Sequence, residues 1–539
     1  MRRPRLRSPM QWTRRISQSF FLVAFLYLVL AARQSGDAPS RVLRVFFDFD
    51  PLVAIATWMS AHTLAAASLL ALITVALTTI FGRVFCGWIC PLGAAHAIMT
   101  WLGRGRRPRR ESRSPWQRMK YVLLLALLLM AACGVHWIGV FDPTPLFYRS
   151  LTAFGWPAAQ YAIEDSATFV FRADPQVGAF HLTRVTEPVY VFFRDKIFRA
   201  PRQTFSGGVV IAAFFIIILA LNLIRPRFWC RYICPLGGLL GFLSLKPVMR
   251  LNNNPDACNN CGKCARNCPA AAQPDQPGKW LPTECVDCWN CVASCDQGAL
   301  SFTLAPPLSP PRTGRIDFSR RAALGAVAGG MAAMLGFRQN PLAQGARFEA
   351  TLIRPPGALS ERAFLQRCIQ CGLCMRVCPT NALQPCGLEA GVEALWTPKL
   401  IPKIGYCSYN CALCGEVCPT GAIAPLAVEE KQKVKIGMAV FDKNRCLPYA
   451  YGRECIICEE HCPVSPKAIT FTIAEVTLSS GETRALKQPQ VDVARCIGCG
   501  VCEWSCVYKD QAAVRVVSAN ESRNAAQQVM LDDIGGSPY

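Results

Sequence analysis

The sequence predicts a membrane-embedded α-helical bundle of four or five spans, joined to small cysteine-rich α+β modules. Two observations predict this fold class. Hydrophobic residues make up 52% of the 539 residues and charged residues only 17%, which is too apolar for a soluble chain of this size. The 30 cysteines are gathered into short runs, so the apolar part is accompanied by a part that binds metal or forms disulfides.

Four apolar stretches approach the roughly 20 residues that cross a hydrocarbon core. They cover residues 17–33, 62–82, 119–140 and 207–224. The second and fourth stretches each lead into the motif Cys-x3-Cys-Pro-Leu-Gly, and Phe-Asp-Pro occurs once in each half, ending at Pro51 and Pro143. The stretches therefore form two similar hairpins within a predicted membrane domain of residues 1–245, with a long insertion after Asp142.

The net charge of +23 lies largely beside the apolar stretches, as the positive-inside rule expects. The N-terminal arginines and the run 104–113 are such flanks. We therefore predict that the N-terminus and both Cys-x3-Cys motifs are cytoplasmic, that both Phe-Asp-Pro turns are outside, and that the topology is in–out–in–out–in. No basic patch accompanies a nucleic-acid-binding motif, so no nucleic acid is expected as a partner.

A first cysteine-rich module is predicted at residues 246–304. Two runs of the form Cys-x2-Cys-x2-Cys-x3-Cys lie there, as in bacterial ferredoxins, where the fourth cysteine binds the partner run's cluster. One [4Fe–4S] cluster is therefore expected on Cys258, Cys261, Cys264 and Cys295. The other is expected on Cys285, Cys288, Cys291 and Cys268.

A second module is predicted at residues 346–515, followed by a polar tail at 516–539. The module carries four runs, and in the second and third runs the first two cysteines are farther apart in sequence. The runs are Cys368, Cys371, Cys374 and Cys378; Cys407, Cys411, Cys414 and Cys418; Cys446, Cys455, Cys458 and Cys462; Cys496, Cys499, Cys502 and Cys506. Four clusters follow, about six in all. The spacing leaves open whether the runs pair as neighbours or nested, the first with the fourth.

Disulfides and tetrahedral zinc are the alternatives, since zinc sites also use Cys-x2-Cys pairs. Six runs that all end in Cys-x2-Cys-x3-Cys favour clusters. Cys133 is interpreted as a small buried hydrophobe and Cys386 as a spare thiol. Because the sequence has neither a strand followed by a Rossmann fingerprint nor a Cys-x2-Cys-His motif, we expect no nicotinamide, flavin or c-type haem.

Four further thiols occupy equivalent places in the two hairpins: Cys86, Cys90, Cys230 and Cys234. They could bind a further cluster, form a redox disulfide or line a quinol pocket. Alternatively, the Pro and Gly residues only turn the chain and the thiols are incidental. The duplication favours a function. Quinol oxidation would also need a proton acceptor, and the candidates are Asp50, Asp142, His62, His136 and His96.

Residues 305–345 contain a Pro-rich linker (Pro306, Pro307, Pro310 and Pro311) and then Arg320-Arg321 before an apolar run to Phe337. The arginine pair resembles a twin-arginine signal. We favour a crossing here, because clusters are built in the reducing cytoplasm and a filled domain must cross already folded. The alternative is a surface helix that leaves the second module cytoplasmic.

These motifs resemble two families. Residues 15–300 resemble the NapH/MauN family of membrane ferredoxin-type proteins through Cys86–Gly93, its second copy Cys230–Gly237 and the ferredoxin pair. Residues 315–510 resemble the NapG/MauM family through Ser319-Arg320-Arg321, Arg354–Leu359 and Arg367–Cys374 with the later runs. The chain is thus similar to a fusion of two proteins. The resemblance implies oxidation of quinol and delivery of electrons to a periplasmic acceptor.

Together these features predict an iron–sulfur electron-transfer protein with several passes through the bacterial inner membrane, a component of a possible quinol dehydrogenase. Its first module would be cytoplasmic and its second periplasmic. Its expected partners are the membrane, the quinol pool and a redox protein, either a cytochrome or a terminal reductase. Two alternatives stay open: an assembly factor that supplies electrons to the maturation of a partner enzyme, and a cluster-bearing sensor without turnover.

Overall fold

The computed structural model describes residues 9–34, 41–63, 65–103, 111, 113–174, 176–177, 180–198, 202–305, 319–338, 349–477, 481 and 483–524. The chain divides into two compact units. The first unit comprises Met1–Leu30, Val42–Leu151 and Val209–Phe337. The second unit comprises Ala31–Arg41, Thr152–Gly208 and Arg338–Tyr539. The Pro-rich linker, most of the basic run 104–113 and the end of the predicted tail lie outside the described residues.

The first of the described helices is the longest, at 26 residues. Up to the first ferredoxin-type module they are α1 (Pro9–Gln34), α2 (Val45–Asp48), α3 (Pro51–Ala61), α4 (Ala71–Phe81), α5 (Pro91–Leu102), α6 (Met119–Ala132), α7 (Ile138–Phe141), α8 (Pro143–Ser150), α9 (Trp156–Ala173), α10 (Thr183–Phe192), α11 (Gly208–Ile224), α12 (Phe228–Tyr232) and α13 (Pro235–Leu243). From there on they are α14 (Lys263–Arg266), α15 (Asn290–Ala293), α16 (Arg320–Arg338), α17 (Glu361–Leu365), α18 (Leu373–Val377), α19 (Leu413–Glu416), α20 (Val428–Lys431), α21 (Leu447–Ala450), α22 (Ile457–Glu460) and α23 (Val501–Ser505).

Ten short strands pair into two-stranded antiparallel ribbons. They are β1 (Gln176–Val177), β2 (Phe180–His181), β3 (Met249–Asn253), β4 (Leu300–Leu304), β5 (Leu383–Pro385), β6 (Pro398–Leu400), β7 (Met438–Phe441), β8 (Ile469–Thr477), β9 (Thr483–Val491) and β10 (Val514–Val517). The pairs are β1 with β2, β3 with β4, β5 with β6, β7 with β10 and β8 with β9.

The two Phe-Asp-Pro turns begin helices inside the first unit. The Asp50 side chain accepts a hydrogen bond from the Leu52 N–H at 3.0 Å and so caps α3. Asp142 accepts from the Thr144 N–H at 3.0 Å and caps α8. In each turn the proline stands at the first helical position, where its missing N–H has no cost. The two repeats thus share one local structure.

The turns and the Cys motifs lie close together. The Phe141 ring stacks on that of Trp229 with centroids 6.3 Å apart, and these residues precede Asp142 and Cys230. The prediction that the turns and the motifs lie on opposite sides of the helices is therefore wrong. Hydropathy and charge place the turns outside the apolar stretches, whereas in the structure they begin helices with buried first turns inside the unit.

Within the described residues, one helix is long and apolar enough to cross a membrane by itself, at Pro9–Ala32. Shorter apolar helices cover Pro51–Ala61, Ala66–Phe81 and Gly208–Ile224. The predicted stretch 119–140 is divided between α6 and α7. Helix length therefore does not by itself confirm a bundle of four or five spans.

Helix α16 belongs to the first unit and packs on α6. A Cβ atom at Gly330 would lie 3.2 Å from the carbonyl oxygen of Ala126, so the missing side chain permits close approach. Farther along both segments, the rings of Phe337 and Trp137 are 4.7 Å apart. The two helices therefore run in the same direction.

The second unit joins the insertion after α8 to the second cysteine-rich module. Arg376 donates to the Gln203 side chain at 2.7 Å, and Asn381 donates to the Thr204 carbonyl at 2.8 Å. The buried core of this unit includes Phe364, Met375 and several of the cysteines themselves. Strands β7 and β10 enclose the last two runs, as β3 and β4 enclose the two runs of the first module.

Candidate iron–sulfur sites and the membrane thiol group

The first module brings its eight thiols into two sets. An open cavity is lined by the Cys258 set, which is Cys258, Cys261, Cys264 and Cys295. A more closed cavity is lined by the Cys285 set, which is Cys285, Cys288, Cys291 and Cys268. Each set joins three cysteines of one run to the last cysteine of the other. This is the grouping that the spacing predicts, while the binding of clusters stays a prediction.

The second module pairs its runs as neighbours. One cavity is lined by the Cys368 set, which is Cys368, Cys371, Cys374 and Cys418. A second cavity is lined by the Cys496 set, which is Cys496, Cys499, Cys502 and Cys462. The first run therefore shares ligands with the second, and the third with the fourth, a choice that the spacing left open.

The remaining thiols of this module form two further sets. Burial raises the pKa of Cys407 to about 11, with Lys431 acting against the rise and the nearby thiols of Cys378 and Cys411 adding to it. Burial also raises the pKa of Cys446 to about 11, with contributions from Cys455 and Cys506. These neighbours define the Cys407 set (Cys407, Cys411, Cys414 and Cys378) and the Cys446 set (Cys446, Cys455, Cys458 and Cys506).

The thiol sets fit a cubane better than a single ion. Within the residues that the structure describes, no three His, Cys, Asp or Glu side chains lie close enough together to bind one metal ion. Zinc needs four ligands at roughly 2.0–2.3 Å from one centre, so these sets are too open for it. A cubane spreads its thiolates over four irons. Because burial raises the thiol pKa values, a positively charged core is needed to keep the sulfurs deprotonated.

The two altered runs have built loops. In the second run, buried Lys431 donates to the carbonyl oxygens of Ser408 at 2.6 Å and Tyr409 at 3.1 Å. In the third run, the longer interval forms α21, and the Tyr449 hydroxyl donates to the Pro489 carbonyl on β9 at 2.9 Å. The extra residues are therefore accommodated without separating the thiols of either run.

Cys86, Cys90, Cys230 and Cys234, the membrane thiol group, are brought together in the first unit. Cys86 and Cys230 lie close enough to act electrostatically on both Cys90 and Cys234. Cys90 and Cys234 cap α5 and α13, and their sulfurs accept the backbone N–H of Gly93 at 3.4 Å and of Gly237 at 3.2 Å. The Arg83 guanidinium lies 3.9 Å from the Cys86 sulfur.

The loop that carries the Cys285 set packs directly on the first Cys-x3-Cys motif. The Trp88 indole donates to the Asp287 carbonyl at 2.9 Å, and Arg83 donates to the Thr283 carbonyl at 3.0 Å. Lys120 forms a buried ion pair with Glu284 at 2.5 Å. The sequence analysis missed this contact, although a lysine inside an apolar stretch is a signal of a buried partner.

Of the proposed proton acceptors, the structure brings Asp50 and Asp142 together. Both are fully buried, and both accept hydrogen bonds from Thr144, whose backbone N–H donates to Asp142 at 3.0 Å. The Thr144 hydroxyl donates to the second oxygen of Asp50 at 3.1 Å. His62 instead ends α3 at the surface, and His96 and His136 are buried.

The two remaining cysteines lie outside the sets. Cys386 is buried, and burial raises its pKa to about 11. The prediction that Cys133 is buried is wrong, since the residue is exposed. It follows the last residue of α6 and does not face the core of the unit.

Family models of iron–sulfur domains match both parts of the chain. A 4Fe-4S binding domain matches residues 63–110 and 207–254, a 4Fe-4S dicluster domain matches 250–296, and another 4Fe-4S binding domain matches 365–384. The first match covers both Cys-x3-Cys motifs. No solved structure matches the chain.

Several relatives are ferredoxin-type proteins. The ferredoxin-type protein NapG of Escherichia coli strain K12 is 35% identical over 211 residues, which are 38% of this chain and 87% of the relative. The methylamine utilization ferredoxin-type protein MauM of Methylorubrum extorquens is 36% identical over 219 residues, 40% of this chain and 92% of the relative. The putative electron transport protein YccM of Escherichia coli is 27% identical over 254 residues, 45% of this chain and 57% of the relative.

Proposed function

The chain is an iron–sulfur electron-transfer protein of the family of NapG and MauM, and we propose that it takes electrons from quinol in the membrane to a periplasmic acceptor. The observation that carries the proposal is the contact between the first Cys-x3-Cys motif and the loop that carries the Cys285 set. Redox-active sulfur inside an apolar helical unit would be placed to receive electrons from a donor that is dissolved in the lipid.

Exposed apolar side chains support a membrane location for the first unit. Phe20 on α1 is 64% exposed, Leu72 on α4 is 62% exposed and Val209 on α11 is 78% exposed. Large exposed apolar side chains of this kind are unfavourable in water when they are numerous but not in lipid. The proposal therefore keeps the multi-pass arrangement and the NapH/MauN-like character of this half, in the inner membrane.

The direction of α16 supports a periplasmic second module. Because α16 runs parallel to α6, it leads the chain back toward the side on which α6 ends. The insertion 152–208, which follows the second Phe-Asp-Pro turn, belongs to the same compact unit as the second module.

The six cysteine sets are the residues that would hold six [4Fe–4S] clusters, and each cluster would supply a one-electron carrier when bound. The protein's contribution is to bury the sulfurs, fix their spacing and exclude water. We propose that the membrane thiol group holds a further cluster. Its two N–H···S hydrogen bonds and the nearby Arg83 would stabilise negative charge on the sulfurs.

Asp50 and Asp142 are our candidates for the proton acceptor of quinol oxidation. Two buried carboxylates that share Thr144 as their donor cannot both be ionised at low energetic cost, so the pair is expected to hold one proton. The carboxylate pair can then take up a second proton.

The double substitution D50N/D142N preserves both helix caps, because Asn caps as well as Asp does. It should slow quinol-dependent reduction on the order of 10²–10⁴-fold and leave reduction by dithionite unchanged. D48N, which removes the neighbouring acidic group, is the matched control.

The central experiment is anaerobic purification in detergent, with assays of iron and sulfide followed by addition of a reduced quinol analogue. About 24 irons per chain would support six clusters, and about 28 would add the membrane site. Reduced-cluster signals in electron paramagnetic resonance after quinol would support the proposed donor. Full iron without reduction by quinol would favour the maturation factor or the sensor. Zinc in place of iron would contradict the proposal altogether.

A further inference from the structure

The second module has a specific contact between its two ferredoxin-type pairs. The Cys407 backbone N–H donates to the Cys499 carbonyl at 2.8 Å. Next to it, the rings of Tyr406 and Trp504 lie 5.1 Å apart. Cys407 and Cys499, one residue from each set, are thus hydrogen-bonded to each other through their backbones. These two sets are the inner neighbours of the module.

Within each pair, short helices connect the two sets. Helix α18 follows Gly372 and carries Cys374 of the Cys368 set, and it ends just before Cys378 of the Cys407 set. Helix α23 carries Cys502 of the Cys496 set and ends before Cys506 of the Cys446 set. One helical turn therefore separates the ligands of adjacent sets. Combined with the inner contact, this places the four sets in a row.

The two ends of the row differ. At one end, the Cys368 set is enclosed by fully buried Phe364, and its pair is fixed to the insertion through Arg376 and Asn381. At the other end, exposed Tyr451 and Ile456 flank Cys455 of the Cys446 set. The lengthened loop of the third run and the long β8–β9 hairpin also lie at this end, joined by Tyr449.

We propose that the four sets act in the order Cys368, Cys407, Cys496, Cys446, with electrons entering at the first pair and leaving at the Cys446 set. The order rests on contacts within the second unit. The direction rests on the proposed function, since the first pair is the one bound to the insertion that continues into α11. The Cys446 set is then where a soluble redox partner collects electrons.

The order is tested without quinol, by paramagnetic resonance of the cluster-loaded full chain reduced with dithionite. In C499A/C502A, iron should fall by about four per chain, and the signal of the Cys446 set should become narrow and uncoupled while the first pair stays coupled. A Cys446 signal that is still broadened by a magnetic neighbour would overturn the order. C386A, which removes a buried thiol outside every set, is the control and should change neither iron nor coupling.

A second variant tests the inner contact in case the first loses more than one cluster. In C455A/C458A the Cys496 signal should remain coupled, because the Cys407 set is its other neighbour; a narrow Cys496 signal would refute the proposal.

Reduction by quinol then tests the direction of electron flow. C499A/C502A should leave the first pair reducible and the Cys446 set oxidised, and reduction of the Cys446 set at the wild-type rate would contradict the row. A wild-type protein that quinol does not reduce contradicts the proposed function, while the spin couplings still decide the order.

Discussion

Replacing Lys120 with Met should release the loop of the Cys285 set from the helices beneath it. The Lys120 ammonium is 0% exposed and its partner Glu284 is 7% exposed, with 2.5 Å between the charged atoms. Removing one member of a buried ion pair leaves the other charge uncompensated and costs about 3–5 kcal/mol. Arg83 lies 4.0 Å from the same carboxylate, so we expect the lower end, about 3 kcal/mol.

A change of about 3 kcal/mol corresponds to an increase of about 10²-fold in the population with this loop detached. Hydrogen exchange of the detergent-purified, cluster-loaded chain measures it directly. Peptides covering residues 279–290 should exchange about 10²-fold faster in K120M, while the β8–β9 hairpin of the second unit should be unchanged. Unchanged exchange at 279–290 would refute the assignment of the ion pair as the contact that holds the loop.

Two controls separate the charge effect from a general loss of stability. In K120M/E284Q neither charge remains, so much of the protection should return, because the penalty comes from an unpaired buried charge. K263M removes the lysine of the exposed pair Lys263–Asp296 in the same module. An exposed pair contributes about 0–1 kcal/mol, so this variant should exchange as the wild type does.

Three further predictions follow from single contacts. In Gly87→Ala the new Cβ would lie 2.0 Å from the Val286 carbonyl oxygen, so overpacking should cost about 1–3 kcal/mol and speed exchange at 279–290; wild-type exchange there would contradict the close approach. Although burial raises it, the pKa of Glu361 is lowered to about 2 by Arg354. Ionised Glu361 should therefore contribute about 3 kcal/mol to the free energy of unfolding. This contribution should be present above about pH 4.5 and lost as the pH falls toward 2. E361Q should remove this part of the pH dependence in acid unfolding. Cys386→Ala should leave the iron content unchanged, and a loss of about four irons would make Cys386 a ligand.

The thiol sets of the first module were predictable because a Cys-x2-Cys-x2-Cys-x3-Cys run fixes its own geometry over a few residues. The pairing of the later runs could not be predicted, since it depends on how the segments between the runs fold. The contact between Cys407 and Cys499 joins residues far apart in sequence, and no local pattern encodes it. The attachment of Arg376 to Gln203 was equally unpredictable, because the insertion has no motif of its own.

The helices of the first unit show a different limit of the sequence analysis. Hydropathy and the Phe-Asp-Pro motifs located the apolar stretches and the turns but not the burial of the turns, because Asp50 is buried through its contact with Thr144, far along the chain. The pair formed by Asp50 and Asp142 could be suspected only from the repeat, in which each begins an equivalent helix. The partner of Lys120 could not be found at all, since Glu284 lies in a different module.

The second half of the Cys-x3-Cys-Pro-Leu-Gly motif argues against incidental thiols. If the motif only turned the chain, Pro would suffice to begin the helix and any capping residue could precede it. Instead, the sulfurs of Cys90 and Cys234 serve as the caps and accept backbone N–H groups. The glycines are also required by close packing: a Cβ at Gly93 would lie 2.6 Å from the Cys86 carbonyl, and one at Gly237 would lie 2.7 Å from Arg83.

Serine or aspartate caps helices better than cysteine does, so a motif that only began a helix would not use cysteine twice. Its use is explained if the sulfur must also carry negative charge toward a redox centre. The N-terminus of each helix favours such charge, and so does the guanidinium of Arg83. The same guanidinium holds the Thr283 carbonyl of the loop that carries the Cys285 set. One arginine therefore connects the membrane thiol group to the first module, which is the place where electrons taken from the lipid would have to pass.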